Sequence, residues 1–375
     1  MAAALSVLVL AASAAPAVAV PPAAAVRAPL ATVPWQSAGP GWAIAEYNAS
    51  IFVPGFPGKD KAGPTTLYLT SPQGHKYPFY TWPATYKGLR YTLLDWSGDR
   101  QRVLLASYGT VNRLEQISLV TGKVVSAFSL PTSVSPARYT RPDGLNLLAL
   151  RATTGSADQV VRYDLTGHRQ AVLTPVSNFD GVIDSPDGTA VVAGTSRGLV
   201  VVGNTGQFSR SLHAPVAVAW CSPVRYWNAL TVLAVCAAKG FSTSRLWLFP
   251  VGGGTVKALT PQRGNKGPDL GDFAAWRLTS GLYLQALGAC GSEFIARQDT
   301  SGAAHPVNVP GTAGNNQIVT GLGARLLVRA VGGCPGGGSL LWFDPATSAV
   351  QYVLHPASGV VGVEVAVPYG RPLTS

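Results

Sequence analysis

Histidine is the side chain that most often binds metals and moves protons near neutral pH. This chain has five: His75, His168, His213, His305 and His355. Each lies at a turn, or in the strand after a turn, in a repeat whose predicted fold puts these places far apart on an outer rim. A three-histidine metal site or a Ser-His-Asp triad needs its members to converge. We therefore predict turn residues in contact with solvent, with no metal site, no cofactor and no catalytic residues.

Other motifs that carry chemistry are weak or missing. The sequence has neither the H-E-x-x-H pattern of zinc proteases nor the S-x-D-x-G-x-x-W box of sialidases. The segment 332–338 (GGCPGGG) is similar to a phosphate-binding loop only in its glycines, because no Lys-Ser/Thr pair follows and the next element is a strand. The aspartates Asp99, Asp143 and Asp187 lie in turns and are expected to accept bonds from their own turn amides.

The elements that position these residues form a repeat of four strands, a to d in chain order. A third strand followed by a tight turn recurs seven times at intervals of 39 to 49 residues, with the turns ending at 74, 122, 167, 206, 253, 302 and 348. Proline and glycine in the turns favour tight reversals. A period in the forties with four strands per repeat is typical of a β-propeller.

The first repeat lacks a first strand, and a matching strand occurs at the far end of the chain. Six repeats have an apolar first strand before the second strand, but none precedes the second strand at 42–46. An unassigned strand lies at 360–367. Its pairing with the first blade would remove exposed sheet edges. We predict an all-β fold, a seven-bladed β-propeller closed by pairing of the C-terminal strand with the first blade.

Two segments carry a family resemblance. Residues 141–149 (RPDGLNLLA) and 185–193 (SPDGTAVVA) resemble the PD40 (WD40-like) repeat of TolB-like β-propellers, and 97–106 (SGDRQRVLLA) is a looser copy. With the turns after the third strands, the resemblance covers most of the chain after about residue 40. TolB is exported and docks partners without catalysis, and relatives carry the propeller beside a peptidase domain. We expect an exported bacterial member that lacks the N-terminal domain of TolB.

The N-terminal segment indicates export. It is an apolar run that ends in Ala17-Val18-Ala19, an A-x-A cleavage pattern. Pro16 interrupts the run short of the about 20 residues that a spanning helix needs, so a cleaved signal peptide (1–19) is favoured over a membrane anchor. Residues 20–40, rich in Pro and Ala, are expected to form a flexible leader, and 41–375 a single propeller domain. No later stretch is long and apolar enough to cross a bilayer, so we predict a secreted, extracytoplasmic protein.

Four cysteines in an exported chain suggest disulfides. In the fifth repeat, a hairpin centred at position 228.5 places Cys221 opposite Cys236, at a distance that a disulfide spans. Cys290 and Cys334 end the second strands of neighbouring repeats, so their loops should meet. We predict the bridges Cys221–Cys236 and Cys290–Cys334.

The charge and the long loops suggest a binding face. The net charge is +11 and its cations are scattered, which favours anionic partners and fits a merely soluble surface equally well. The connections 47–64 and 261–272 are long, and both emerge on the face of the b–c and d–a loops. Binding residues concentrate on such loops, although tolerated insertions would look the same. The predicted ligand face consists of Phe52, Phe56, Lys59, Lys61, Arg263 and Lys266.

Three classes of function remain open. The first is a non-catalytic binding or scaffolding module at the cell envelope, monomeric, with an anionic envelope polymer or a protein as partner and no nucleic acid. The second is an extracytoplasmic hydrolase, lyase or lactonase, which would need His, Asp and Glu to converge at the axial mouth. The third is a quinoprotein-like oxidoreductase, which would need a large axial cofactor pocket. The use of such folds as docking scaffolds favours the first class.

Overall fold

The computed structural model of the protein describes residues 33–52, 61–83, 91–108, 110–135, 138–154, 158–176, 181–240, 243–263, 269–288, 291–332 and 338–370. Within these ranges the chain is all β, apart from short 3-10 turns such as Trp35–Ser37. The strands are β1 (Ala43–Ile51), β2 (Thr65–Thr70), β3 (Lys76–Trp82), β4 (Tyr91–Trp96), β5 (Arg102–Ser107), β6 (Asn112–Ser118), β7 (Val124–Leu130), β8 (Arg138–Tyr139), β9 (Asn146–Arg151), β10 (Asp158–Asp164), β11 (Arg169–Val176), β12 (Val182–Asp184), β13 (Ala190–Thr195), β14 (Gly198–Gly203), β15 (Ser209–His213), β16 (Val218–Asn228), β17 (Thr231–Ala238), β18 (Ser244–Pro250), β19 (Lys257–Ala258), β20 (Asp269–Leu278), β21 (Gly281–Gly288), β22 (Glu293–Gln298), β23 (Ala304–Pro306), β24 (Asn315–Leu322), β25 (Arg325–Val331), β26 (Gly338–Asp344), β27 (Ala349–Leu354) and β28 (Val360–Pro368).

Antiparallel pairing sorts these strands into groups of four. Six groups follow the chain, from β4–β7 to β24–β27, and one joins β28 to β1, β2 and β3. We call the groups units 1 to 7, with unit 1 holding β28 and β1–β3. Single parallel contacts link unit 5 to unit 6 and unit 7 to unit 1. The predicted all-β propeller fold, built from repeated four-stranded units, is confirmed.

The C-terminal strand completes unit 1. β28 pairs antiparallel with β1 over nearly the whole length of both strands. Asn48 Nδ2 donates to Glu364 Oε2 at 3.1 Å, and the Tyr369 amide donates to the Trp42 carbonyl at 2.8 Å. That this pairing makes the whole ring fold cooperatively stays a prediction.

The second strands form the best-buried layer. Residues 103–106 of β5 and 191–193 of β13 are almost fully buried. Their near-continuous apolar sequence is typical of strands covered on both faces, because neighbouring units pack against either side. The aromatic side chains Trp96 and Trp342 are each 1% exposed, so these two tryptophans pack in the core.

Polar side chains also join neighbouring units. Glu46 Oε2 on β1 accepts a bond from the Leu93 amide of β4 at 2.6 Å. Gln285 Oε1 on β21 accepts a bond from the Ile318 amide of β24 at 2.6 Å. Buried backbone donors require such partners, so these two side chains fix how an inner strand sits against the next unit.

Part of the predicted flexible leader is packed. Val33 and Ala38 are buried, and the rings of Trp35 and Phe79 meet edge to face with centroids 5.0 Å apart. Arg100 Nη1 donates to the Ala38 carbonyl at 2.7 Å. The leader prediction is therefore wrong for residues 33–40, because their apolar side chains bury surface against unit 1. Residues 1–32, with the predicted signal peptide, lie outside the described ranges.

Cys221 and Cys236 form a disulfide with their Cα atoms 4.1 Å apart. The hairpin register from which this disulfide was predicted was partly wrong. Asn228 pairs with Thr231, so the two-residue turn is 229–230 and the hairpin centre lies one residue further along the chain. Register shifts between the turn and the cysteines realign the strands, as β-bulges do. The pairing is correct because these shifts cancel the misplaced turn.

Membrane-spanning helices are not found in the described ranges: no helix there has the length and hydropathy to cross a bilayer.

Candidate functional site

The inner strands surround a central channel of about 960 Å³. This volume is in the range of pockets that bind small molecules. Apolar groups such as Trp220, Phe273 and Val365 form part of the wall. Its charged lining residues come from several units and are Arg141, Asp184, Arg225, Glu293, Arg329 and Glu364. They belong to three places with different surroundings, and these surroundings decide what each can do.

The first place is a buried ion pair between units 2 and 3. Arg141 Nη2 lies 2.8 Å from Asp95 Oδ1, and the two side chains are 11% and 1% exposed. The other carboxylate oxygen, Oδ2, accepts a bond from the Tyr139 amide at 2.9 Å. A buried ion pair is tolerated when its remaining lone pairs are bonded in this way. The pair therefore holds neighbouring units together.

Asp184 lies at the end of β12 beside this pair but lacks a comparable partner. Its side chain is buried, and neither carboxyl oxygen has a hydrogen bond of good geometry. In unit 2 the residue before the matching turn is the buried aromatic Trp96. Burial raises the pKa of Asp184 well above its usual range, with Arg141 opposing the shift. The carboxyl is thus a proton donor at pH values where an exposed aspartate is ionised.

The substitution Asp184→Asn is expected to stabilise the protein at neutral pH. An aspartate whose pKa is raised on folding stabilises fully below its unfolded pKa of about 3.9, and this contribution is lost as pH rises through the folded pKa. Asparagine does not ionise, so the variant does not lose stability in this way as pH rises. Its free energy of unfolding should exceed that of wild type least near pH 4 and by about 1–3 kcal/mol at higher pH. Urea denaturation across this pH range measures the difference. An advantage that did not change with pH would contradict the raised pKa.

The second place is a network around Arg329 that joins units 6, 7 and 1. Arg329 donates from Nε to Gln317 Oε1 at 3.0 Å and from Nη1 to the Glu364 carbonyl at 2.9 Å. Gln317 Nε2 donates in turn to Glu293 Oε1 at 3.3 Å. Burial raises the pKa of Glu293 and lowers the pKa of Arg329, while their mutual attraction opposes both shifts. The network is therefore a fixed polar wall with balanced charge.

The third place is Arg225 on β16, which has no carboxylate partner among the described residues. Its guanidinium lies near the rings of Trp227 and Trp276. Arg225 was not among the predicted site residues. A sequence feature that points to this cluster lies in the tripeptides 225–227 and 275–277. In each of them an arginine lies within two residues of a tryptophan at the end of a first strand.

The predicted ligand face is described in part. Phe52 is half-buried, and its amide donates to the Gly359 carbonyl at 2.8 Å. Lys61 is exposed, and its backbone pairs with Ile51. Because β1 continues to Ile51, the first connection is shorter than the predicted 47–64. Outside the described residues lie Phe56, Lys59, Lys266, Cys290 and Cys334, so the Cys290–Cys334 bridge stays a prediction.

Arg263, the other described cation of that face, forms an ion pair with Asp272. The carboxylate is 1% exposed and the arginine side chain 21%. Asp272 lies inside β20 rather than in a loop, so the second connection is also shorter than predicted. The charge of Arg263 is therefore matched within the protein, which leaves the lysines as the cations of this face that suit a partner.

All five histidines are exposed, as predicted, and none lines the channel. His305 Nε2 lies 2.8 Å from Asp299 Oδ2, and His168 Nδ1 lies 2.9 Å from the Thr166 hydroxyl. The pKa of Asp299 is lowered, mainly by the hydrogen bond from Ser301. These contacts tie turn residues to their own turns.

The sequence has no G-x-S-x-G elbow of hydrolases, as we predict from its motifs, although the bare letter pattern occurs once. Residues 194–198 read GTSRG, which matches the G-x-S-x-G pattern of nucleophile elbows. The elbow requires a strand followed by a helix, whereas here the segment runs from the end of β13 through a two-residue turn to the first residue of β14. Ser196 is exposed and has no hydrogen bond to His213, the residue paired with Gly198. The pattern is therefore a hairpin turn.

Comparison with known proteins agrees on the fold. No protein-family model and no curated protein sequence matches the chain. A solved structure described as one of two prolyl endopeptidases is similar, with TM-score 0.56 and 13% identity over 86% of this chain and 52% of that one. The β-propeller domain of the Trilobed protease from Pyrococcus furiosus is similar with TM-score 0.50 and 11% identity, over 84% and 95% of the two chains. TolB from Acinetobacter baumannii aligns with TM-score 0.42 and 13% identity over 87% and 83%.

These similarities show the fold alone. The similarity to the Trilobed protease domain places the fold among β-propellers, as the PD40-like segments implied. The chain spans about half the length of the prolyl endopeptidase it matches.

Proposed function

We propose that this propeller is a non-catalytic binding or scaffolding module that acts outside the cytoplasm, at the cell envelope. The observation that carries the proposal is the separation of the acidic groups on the channel wall. Asp184 lies beside the Arg141 ion pair, the Glu293 carboxylate belongs to the network of Arg329, and the Glu364 carboxylate accepts a bond from Asn48 on β1. An enzyme needs an acid and a base, or a nucleophile and its base, within reach of one reacting atom. The channel wall supports ligand contact better than it supports a reaction.

The disulfide supports the proposed location. A disulfide such as Cys221–Cys236 persists mainly in oxidising compartments. The A-x-A pattern at 17–19 indicates export independently.

The proposed docking surface is the predicted ligand face. Lys61 is exposed at the end of the first long connection, and Phe52 is half-buried beside it. Lysines beside an aromatic group suit an anionic polymer or an acidic protein surface. Lys59 and Lys266 belong to the same two connections.

Charge reversal of this surface tests the proposal. A triple variant with Lys59, Lys61 and Lys266 replaced by Glu should bind isolated bacterial cell envelope at least about tenfold more weakly, a loss of about 1.4 kcal/mol. Added salt should weaken wild-type binding in the same direction, because exposed charges are screened. Sedimentation of the protein with the envelope fraction measures both effects.

A matched control lies on the opposite face. Lys76, Lys123 and Lys257 are exposed at or after turns that follow third strands, and their replacement by Glu changes the net charge equally. This control should bind like wild type. Equal loss in both variants, or loss in neither, would refute the docking surface. Prior digestion of the envelope with protease separates a protein partner, whose binding is lost, from a polymer, whose binding remains.

A further inference from the structure

Arg225 is a cation whose charge no described residue neutralises. Its Nη2 donates to the Ala275 carbonyl of the neighbouring unit, while its buried Nε has no partner. Desolvation lowers the pKa of Arg225 to about 10, so the guanidinium remains protonated at neutral pH. A charge held in such surroundings is costly unless it is paired. Within the part of the chain that the structure describes, Arg225 therefore has no counterion.

Aromatic rings surround this cation without neutralising it. The Cζ atom of Arg225 lies 5.3 Å from the ring centroid of Trp227 and 5.3 Å from that of Trp276. Arg277 lies over the same Trp227 ring at 5.9 Å and is exposed. It likewise has no carboxylate partner among the residues that the structure describes. Cation–π contacts attract a guanidinium but leave its charge in place. Two cations thus share one indole, and no carboxylate of the described residues pairs with either of them.

Arg225 lies in the wall of the channel. Arg225 and Trp276 both line it, together with Tyr226 and Phe273. Rings that cover the faces of a guanidinium leave its in-plane edge for bidentate bonds to a carboxylate or phosphate. Phe273 and Val319 offer apolar surface nearby in the same wall.

We propose that Arg225, Trp227 and Trp276, with Arg277 beside them, form a binding site for a small organic anion. The ligand would carry a carboxylate or phosphate on an aromatic or apolar body that packs against the indoles. The site lies at the end of the channel nearest the a–b turns, because Trp227 and Trp276 come just before those turns. It is therefore independent of the docking surface on the b–c and d–a side.

The structural alternative has a direct comparison within the same unit. Arg245 on β18 lies over Trp247, with Cζ 3.9 Å from the centroid, and its buried Nε also lacks a partner. Desolvation lowers its pKa as well. Arg245 is not among the residues that line the channel. If the contact of Arg225 with tryptophan is purely structural, substitutions of Arg225 and of Arg245 should have the same effect on anion binding. If Arg225 belongs to a ligand site, only its substitution should weaken anion binding.

Titration calorimetry with benzoate and phenyl phosphate tests the site, with acetate, inorganic phosphate and neutral benzamide as comparison probes. Wild type should bind at least one aromatic anion saturably at millimolar concentration, and benzamide more weakly. Arg225→Met should weaken that binding at least about tenfold without lowering the melting temperature, while Arg245→Met leaves binding unchanged. Tighter binding of phenyl phosphate than benzoate assigns the site to phosphates, and the reverse assigns it to carboxylates.

Several results would overturn the site. Absence of saturable binding of both aromatic anions to wild type would do so, as would equal binding by wild type and Arg225→Met. Loss of thermal stability in Arg225→Met with unchanged anion binding would assign the residue to packing alone. Arg225→Lys keeps the charge and loses the planar fork, so it provides the same test if Arg225→Met does not fold, with weaker binding again expected.

Discussion

Removal of residues 359–375 is expected to abolish cooperative folding, because the deletion takes away β28. This strand is the inner strand of unit 1 and pairs along β1. It buries Val363 and Val367, which are 1% and 0% exposed, and burial of each valine contributes about 1.5–3 kcal/mol. The deletion removes this free energy and also leaves the edge of β1 unpaired. The loss is large compared with a total free energy of unfolding of about 5–15 kcal/mol.

Calorimetry and guanidinium denaturation measure this effect. The full chain should unfold in one transition, and the truncated chain should show a broad transition at lower temperature or none. A chain that ends at residue 370 keeps β28 complete and is the matched control, so it should melt like the full chain. Equal melting of the full chain and the 359–375 deletion would mean that the terminal strand does not close the fold.

The substitution Arg141→Met should lower the free energy of unfolding by about 3–5 kcal/mol. The change leaves the Asp95 carboxylate buried without its counterion, although the bond from the Tyr139 amide remains. Methionine keeps most of the apolar stem of arginine, so lost packing contributes little. Urea denaturation at neutral pH measures the cost.

Arg113→Met is the matched control for this pair. Arg113 Nη2 lies 3.3 Å from Glu115 Oε1, but the arginine side chain is 48% exposed. Glu115 also accepts a bond from the Tyr91 hydroxyl at 2.6 Å. Loss of an exposed ion-pair partner costs about 0–1 kcal/mol. Equal costs for the two variants would show that the Arg141 pair is hydrated and does not hold units 2 and 3 together.

The repeat could be predicted because its signals are local. Each turn and each apolar run lies within one unit, so the spacing of tight turns locates the strands. The C-terminal strand was assigned to unit 1 by counting first strands against second strands, and β28 pairs with β1. The turn of the unit 5 hairpin was predicted less accurately, since β-bulges are not visible in the sequence. Its cysteines were paired correctly because the bulges offset the error in the turn.

The channel could not be predicted in the same way, because its contacts join units that are far apart in sequence. Arg141 was part of a recognised turn motif, yet its partner Asp95 lies in the preceding unit. Asp184 carried a readable signal, since it is a charged residue at the position that holds Trp96 before the matching turn of unit 2. Arg263 was predicted as a ligand-binding cation because Asp272 read as the end of a loop, whereas it lies within β20.

Lysine acetylation in the presence of isolated bacterial cell envelope tests the proposed docking surface most directly. Bound and free protein are treated with an acetylating reagent, and the modified lysines are quantified by mass spectrometry. The account predicts that Lys59, Lys61 and Lys266 are protected in the bound protein while Lys76, Lys123 and Lys257 react as in the free protein. Protection of the second set alone, or of both sets equally, would contradict a partner docked on the b–c and d–a face.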